Sequence, residues 1–314
     1  MIKTRFAEAL KRKQPLLLDG GLATQLEAQG CDINTTLWSA SLLQSNTQAI
    51  VDAHRAFLEA GAACIETASY QASREGFGTL GLSNDEADDL MRLSVELAIR
   101  AREECGSDAL VAASLGPYGA MLHDGSEYTG DYDVSPDVIR AFHAERLDVL
   151  DTSEADVFAL ETIPSIEEAR VLAGLLQERV TPAWVSFSCK DETHVCDGTD
   201  IAEAAGLFSE HPRVLAVGIN CTPPQYVPAL IRRIRSALPD MPILAYPNSG
   251  ETYNADDGTW FGTVTPGDCA EAALGWLEAG ATIVGGCCRM APEHIRSIQQ
   301  ALVFAHSSLS KQAP

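Results

Sequence analysis

Short apolar runs alternate with longer amphipathic segments from one end of the chain to the other. Eight runs stand out: LLLDGG at 16–21, CIETASY at 64–70, LVAASLGP at 110–117, VFALET at 157–162, AWVSFSC at 183–189, VLAVGINC at 214–221, ILAYPNSG at 243–250 and TIVGGCC at 282–288. They are continuous rather than alternating, and rich in β-branched and aliphatic residues. That is the pattern of parallel strands covered on both faces. The segments between them carry helix signals. Residues 46–61 place Ile50, Val51, Phe57 and Leu58 at helical spacing and end on a glycine. Ser135-Pro136 and Thr265-Pro266 each read as an N-cap followed by proline in the first helical position. Ser165 and Glu168 have the spacing of a capping box. The opening MIKTRFAEALKRKQP predicts a short helix over about 1–13.

Eight strand–helix units close naturally into a (β/α)8, or TIM, barrel, with a doubly wound open sheet as the alternative. No linker, repeat or low-complexity stretch divides the chain, so a single α/β domain over 1–314 is expected. In a barrel the chemistry sits just past the C-terminal strand ends. Polar and special residues gather there: Asp19-Gly20-Gly21, Glu66-Thr67, Gly116-Pro117-Tyr118, Glu161-Thr162, Asn220-Cys221, Pro247-Asn248-Ser249-Gly250 and Cys287-Cys288.

Charge narrows the partners. A formal net charge of −22 argues against nucleic acid and anionic membranes and would attract a cationic small molecule. No stretch is apolar for long enough to predict a membrane-spanning helix. The N-terminus lacks the apolar core of a signal peptide. Nine cysteines, an odd number, then suggest reduced thiols in the cytoplasm. The seven histidines form no ligand pattern and mostly read as surface residues.

Among the cysteines, Cys221 ends the sixth run while Cys287 and Cys288 end the eighth, so a barrel would let three sulfurs meet. Three thiolates with an open fourth position describe a catalytic zinc site. Adjacent cysteines can face one ion only if the backbone bends, and Gly285 and Gly286 would permit that. Buried unliganded thiols and a vicinal disulfide are the alternatives. A rival cluster, Cys189, His194 and Cys196, lies after the fifth run but matches no standard zinc knuckle.

The motifs DGGLATQLE, ETASYQ, GPYGAMLHDGSEYTGDY, ALET, GINC, YPNSGE and GGCCR, in that order from about residue 15 to about 300, resemble the homocysteine S-methyltransferases. DGSEYTGDY and YPNSGE look closest to the branch that uses S-methylmethionine. The resemblance implies a zinc-dependent, homocysteine-binding barrel with Zn2+ held by Cys221, Cys287 and Cys288. It implies that Asp19 and Glu161 hold the amino group of homocysteine, that Thr67 contacts substrate, and that Asn248, as in some relatives, or a water fills the fourth metal position until substrate arrives. The reaction implied is methyl transfer from a sulfonium to the thiolate of L-homocysteine, giving methionine.

A sulfonium binds well against aromatic faces and carboxylates, and Tyr118, Glu127, Tyr128 and Trp260 are the donor-site candidates. The chain stops one helix after GGCCR, without the extra domains of cobalamin-dependent relatives or the longer extension of betaine-using ones. That puts S-methylmethionine first, with S-adenosylmethionine as the alternative donor; no GxGxxG nucleotide-binding unit is visible. A non-catalytic, zinc-stabilised barrel would be expected to have lost a cysteine or a substrate carboxylate, and all are intact. A zinc hydrolase would want mixed histidine and carboxylate ligands, which three sulfurs fit poorly.

Overall fold

A computed structural model of the chain describes residues 4–12, 14–33, 37–254, 259–262 and 264–310. Its strands are β1 (Leu16–Leu17), β2 (Cys64–Glu66), β3 (Leu110–Leu115), β4 (Val157–Ile163), β5 (Ala183–Phe187), β6 (Val214–Asn220), β7 (Ile243–Tyr246), a hairpin of β8 (Thr252–Asn254) and β9 (Thr259–Phe261), and β10 (Ile283–Val284). Eight of them pair in parallel in the order β1-β10-β7-β6-β5-β4-β3-β2. A parallel bridge from Leu18 to Cys64 brings the two ends of that sheet together, helped by the Ala63 N–H donating to the Leu17 carbonyl at 2.8 Å. The chain is a (β/α)8 barrel, with helices between the strands.

Alternation along each strand sorts the side chains. One set, including Leu17, Ile65, Val111, Phe158, Leu160, Val185, Val217 and Ile219, packs outward into the large core under the helices. The other set, including Leu16, Cys64, Leu110, Ala112, Val157, Ala159, Trp184, Ala216, Leu244 and Ile283, fills the barrel. The interior column changes character toward the C-terminal ends. Cys64 is followed two residues on by Glu66, Ala112 by Ser114, Ala159 by Glu161, and Trp184 by Ser186. The sequence therefore writes an apolar floor and a polar mouth.

The N-terminal helix Arg5–Leu10 stoppers the opposite end. Phe6 is fully buried, its ring centroid 5.7 Å from that of Trp184 in the interior. Arg5 ties the helix down through Asp156 at 2.7 Å and the Asp108 carbonyl at 2.7 Å.

Helix starts follow the sequence in part. Thr265 and Asp268 form a full capping box ahead of the helix Pro266–Ala279. Ser165 accepts the Glu168 N–H, but the Glu168 side chain does not return to the cap. It instead accepts from the Tyr118 N–H and the Tyr132 hydroxyl, and pairs with His143 Nε2 at 2.7 Å. Ser135 makes no side-chain cap bond, although Pro136 does open its helix.

The expectation of surface histidines is corrected for His54, His143 and His294, all of which are buried. His54 lies on the inner stripe of the helix Thr47–Ala60 with Ile50, Val51, Phe57 and Leu58. Burial lowers its pKa to about 4, so it packs as a neutral ring. Among the described residues, no helix is long and apolar enough to cross a membrane.

Candidate active site

The polar mouth opens into a cavity of about 230 Å³, and Glu66, Thr67, Glu127, Tyr128, Glu161, Cys221, Cys287 and Cys288 all face it. Three sulfurs converge there. Cys221 Sγ lies 3.6 Å from Cys288 Sγ, Cys287 Sγ lies 4.0 Å from Cys288 Sγ, and all three fall within 4.8 Å of one another. Zn–S bonds of ~2.3 Å in a tetrahedron place sulfurs about 3.8 Å apart, so the trio is spaced to share one ion. It is the one such cluster among the described residues; Cys189, His194 and Cys196 do not assemble into a second. All nine cysteines are free.

The electrostatics agree with the spacing. Hydrogen bonds from Cys287 and Cys288 push the Cys221 thiol well below its ordinary pKa, and the same bonds push the other two well above theirs. A bound divalent ion would let all three ionise.

Neighbouring loops hold the cysteine loop rigidly. The Gly286 N–H donates to the Asp19 carbonyl at 3.0 Å, the Cys287 N–H to Pro247 at 2.9 Å, and the Ser249 N–H to Cys288 at 3.1 Å. The role expected of the glycines is corrected here. Neither Gly285 nor Gly286 has a positive φ, whereas Cys221 at 46° and Arg289 at 66° are left-handed. The glycines are needed for close approach instead. A Cβ on Gly285 would sit 2.6 Å from that of Leu18, and one on Gly286 2.4 Å from that of Met290. Left-handed backbone at a non-glycine such as Cys221 costs about 1–3 kcal/mol and persists where surroundings over-determine it.

Asn220, the asparagine of GINC, is part of those surroundings. Its Oδ1 accepts from the Thr162 N–H at 2.7 Å and the Ser186 hydroxyl at 2.9 Å, while its Nδ2 donates to Thr162 Oγ1 at 2.8 Å. Thr162 itself is left-handed, with φ of 60°. One buried amide thus fixes the residue before Cys221 and the residue after Glu161 together. Sequence reasoning assigned it no role.

Three carboxylates sit beside the sulfurs. Glu161 accepts a hydrogen bond from the Ser114 hydroxyl, and burial pushes its carboxyl up to about 7. Asp19 is 1% exposed and does not reach the cavity surface. Its Oδ2 accepts the Glu66 N–H at 2.9 Å, and its Oδ1 has no partner. Burial raises its pKa well above the usual range. Glu66 was named from the sequence among the strand-end residues but given no role, and it faces the cavity with a buried, unpartnered Oε1. The signal that could have found it is its place in the alternating interior column, two residues after Cys64.

The other candidates divide. The Thr67 hydroxyl accepts the Ser114 N–H at 3.1 Å and lies 2.6 Å from the Ser69 hydroxyl, so it stitches β2 to β3 as well as facing the cavity. Asn248 sits in the loop after β7, its N–H on the Thr222 carbonyl at 3.3 Å and its Oδ1 buried without a partner. The Tyr128 hydroxyl lies 3.4 Å from Cys221 Sγ. Glu127 is half-buried, with Oε2 unpartnered, and burial raises its pKa.

Tyr118 is corrected as a donor-site candidate. It packs in a satellite core with Ile139, Phe142 and Val171, its ring 5.2 Å from and edge-on to Phe142. The Tyr118 N–H bond to Glu168 anchors the segment there, and Tyr118 is not among the residues that line the cavity. Trp260 falls on β9, and its side chain lies outside the described residues.

Comparison with known proteins agrees with this architecture. The family described as Homocysteine S-methyltransferase matches residues 16–302. Homocysteine S-methyltransferase YbgG of Bacillus subtilis (strain 168) is 45% identical over 293 residues, covering 90% of this chain and 93% of its own. Homocysteine S-methyltransferase 2 of Zea mays is 44% identical over 304 residues, covering 91% and 89%. Among solved structures, the metallated form of the homocysteine methyltransferase MmuM from Escherichia coli superposes with a TM-score of 0.83 at 38% identity, covering 93% of this chain and 98% of that one. With the cysteine trio at the mouth of a (β/α)8 barrel and the family match spanning nearly its whole length, the chain is a methyltransferase that belongs to the homocysteine S-methyltransferase family.

Proposed function

We propose that this enzyme transfers a methyl group from S-methylmethionine to L-homocysteine, yielding methionine, with zinc held by Cys221, Cys287 and Cys288. The observation that carries the reading is the sulfur trio, spaced for a tetrahedral ion and lining the same cavity as Glu161. Zinc bound there would supply the Lewis acidity that keeps the acceptor sulfur a nucleophilic thiolate at neutral pH. Asn248, with its orphaned Oδ1, is suited to complete the donor set until the acceptor arrives.

The chain's own residues then do the positioning. Glu161, with the buried Asp19 behind the cavity wall, receives the α-ammonium of homocysteine; among the described residues the one cationic side chain lining this region is Arg289, which is already paired with Glu251 at 2.7 Å. Glu127, with an unpartnered oxygen, and the Tyr128 ring beside Cys221 receive the sulfonium. A sulfonium leaves as a neutral thioether, so no side chain has to protonate it. The chemical task is to hold acceptor sulfur, methyl carbon and leaving sulfur in line, and positioning of this kind supplies much of a transfer barrier. Net charge of −22 favours the capture of cationic donors. Reduced cysteines and small-molecule substrates fit an enzyme of the cytoplasm.

The test is a parallel assay of the reduced, zinc-loaded protein with homocysteine and S-methylmethionine, S-adenosylmethionine or betaine. The reading expects methionine to form fastest with S-methylmethionine. Faster turnover with S-adenosylmethionine or betaine would overturn the assignment of the donor.

A further inference from the structure

Resting on the acceptor reading above, we propose that Glu66 is a specificity-determining residue that contacts the α-ammonium of the acceptor amino acid beside Glu161, with Asp19 positioned behind it. The geometry singles out Glu66 in three ways. First, Glu66 and Glu161 face the cavity, whereas Asp19 does not reach its surface. Second, Asp19 Oδ2 is occupied in holding the Glu66 backbone at 2.9 Å. It sets where β2 ends and therefore where the Glu66 side chain stands. Third, Glu66 Oε1 is buried with no hydrogen-bond partner, as is Asp19 Oδ1. Buried carboxylate oxygens are ordinarily satisfied, and an orphan facing a cavity marks a partner that arrives with the ligand.

Charge sharpens the point. Arg289 is the only cationic side chain lining the cavity among the described residues, and Glu251 neutralises it. The three acids thus have no protein counter-ion to share. A primary ammonium carries three donors and one positive charge, which matches two lining carboxylates with a third behind them. A thiol lacking that ammonium would gain nothing from Glu66.

The experiment compares the affinities of zinc-loaded wild type and Glu66→Gln for L-homocysteine and for 4-mercaptobutanoate, the same thiol acid without the amino group, by titration calorimetry. Glu66→Asp is carried alongside, because it keeps the charge but shortens its reach. The expected result is a Kd for homocysteine raised about tenfold by Glu66→Gln and less by Glu66→Asp, with no weakening for 4-mercaptobutanoate. Equal weakening of both ligands would make Glu66 a packing residue and overturn the proposal. An unchanged homocysteine Kd in Glu66→Gln, or no wild-type preference for the amino acid, would also overturn it. Methyl transfer by the wild type is measured separately. If homocysteine binds with the Glu66-dependent preference but no methionine forms, the reaction assigned above fails while the ammonium contact stands.

Discussion

Cys221 Sγ and Cys288 Sγ lie 3.6 Å apart although 67 residues separate them in the chain. Nothing local brings them together. Strand β6 delivers one and β10 the other, with β7 between them in the sheet, and both arrive at the same end because all eight barrel strands run parallel. The 3.6 Å separation is close to the edge of a tetrahedral zinc–sulfur site.

Replacement of one sulfur should therefore disable the site rather than trim it. Cys288→Ser is expected to lower zinc content below half of wild type and turnover by at least about a hundredfold. Cys196→Ser, outside the trio, should retain full zinc content. Metal analysis and steady-state rates on the same preparations check this. Wild-type zinc and activity in Cys288→Ser would remove Cys288 from the donor set.

The buried acids should leave a mark on stability. Glu161 has a folded pKa of about 7 against an ordinary value of 4.5, so the folded state holds its proton more tightly than the unfolded state. Its contribution to stability is full below about pH 4.5 and is lost as pH rises through about 7. Asp19 and Glu66 are shifted in the same direction. The melting temperature of ligand-free protein should fall between pH 5 and 8, through a loss of at most about 3 kcal/mol from Glu161. Glu161→Gln should flatten that fall. Identical pH profiles for the two proteins would show that Glu161 titrates normally.

Arg146 is fully buried and donates to the carbonyls of Ala72 at 2.9 Å, Gly116 at 2.8 Å, Ser69 at 3.2 Å and Tyr70 at 2.7 Å. It clamps the turn after β2, which carries Tyr70 to the cavity wall. Arg146→Met strands those carbonyls. It should cost about 3 kcal/mol in denaturant unfolding and lower kcat/KM as Tyr70 loses its support. Lost stability with unchanged kcat/KM would confine Arg146 to a structural role.

Much of this was legible in the chain, for identifiable reasons. Doubly buried strands must be continuously apolar, so the runs announced themselves, and a parallel barrel collects its strand ends on one face. That is why Cys221, Cys287, Cys288, Glu161 and Thr67 could be grouped before any fold was known. Strand lengths were less legible. The run 64–70 yields only Cys64–Glu66, and the run 282–288 only Ile283–Val284, because the residues beyond them leave the ladder to build the mouth.

Side-chain direction was harder still. Tyr118 follows a strand end as a site residue would, yet its segment is tied to Glu168 and its ring packs on Phe142. Glu168 looked like half of a capping box, and its charge is spent on Tyr132, His143 and the Tyr118 N–H. These are tertiary partners that local spacing does not encode. Glu66, by contrast, was named with Thr67 at its strand end but given no role of its own. Thr67 drew attention within ETASYQ, while the two-residue alternation pointed inward at Glu66.

The most direct test of the central claim is zinc K-edge X-ray absorption on the reduced, zinc-loaded enzyme, before and after addition of L-homocysteine. The account predicts three sulfur ligands at ~2.3 Å with one oxygen or nitrogen in the free enzyme, changing to four sulfurs with homocysteine bound. A first shell with fewer than three sulfurs, or one that homocysteine leaves unchanged, would contradict it.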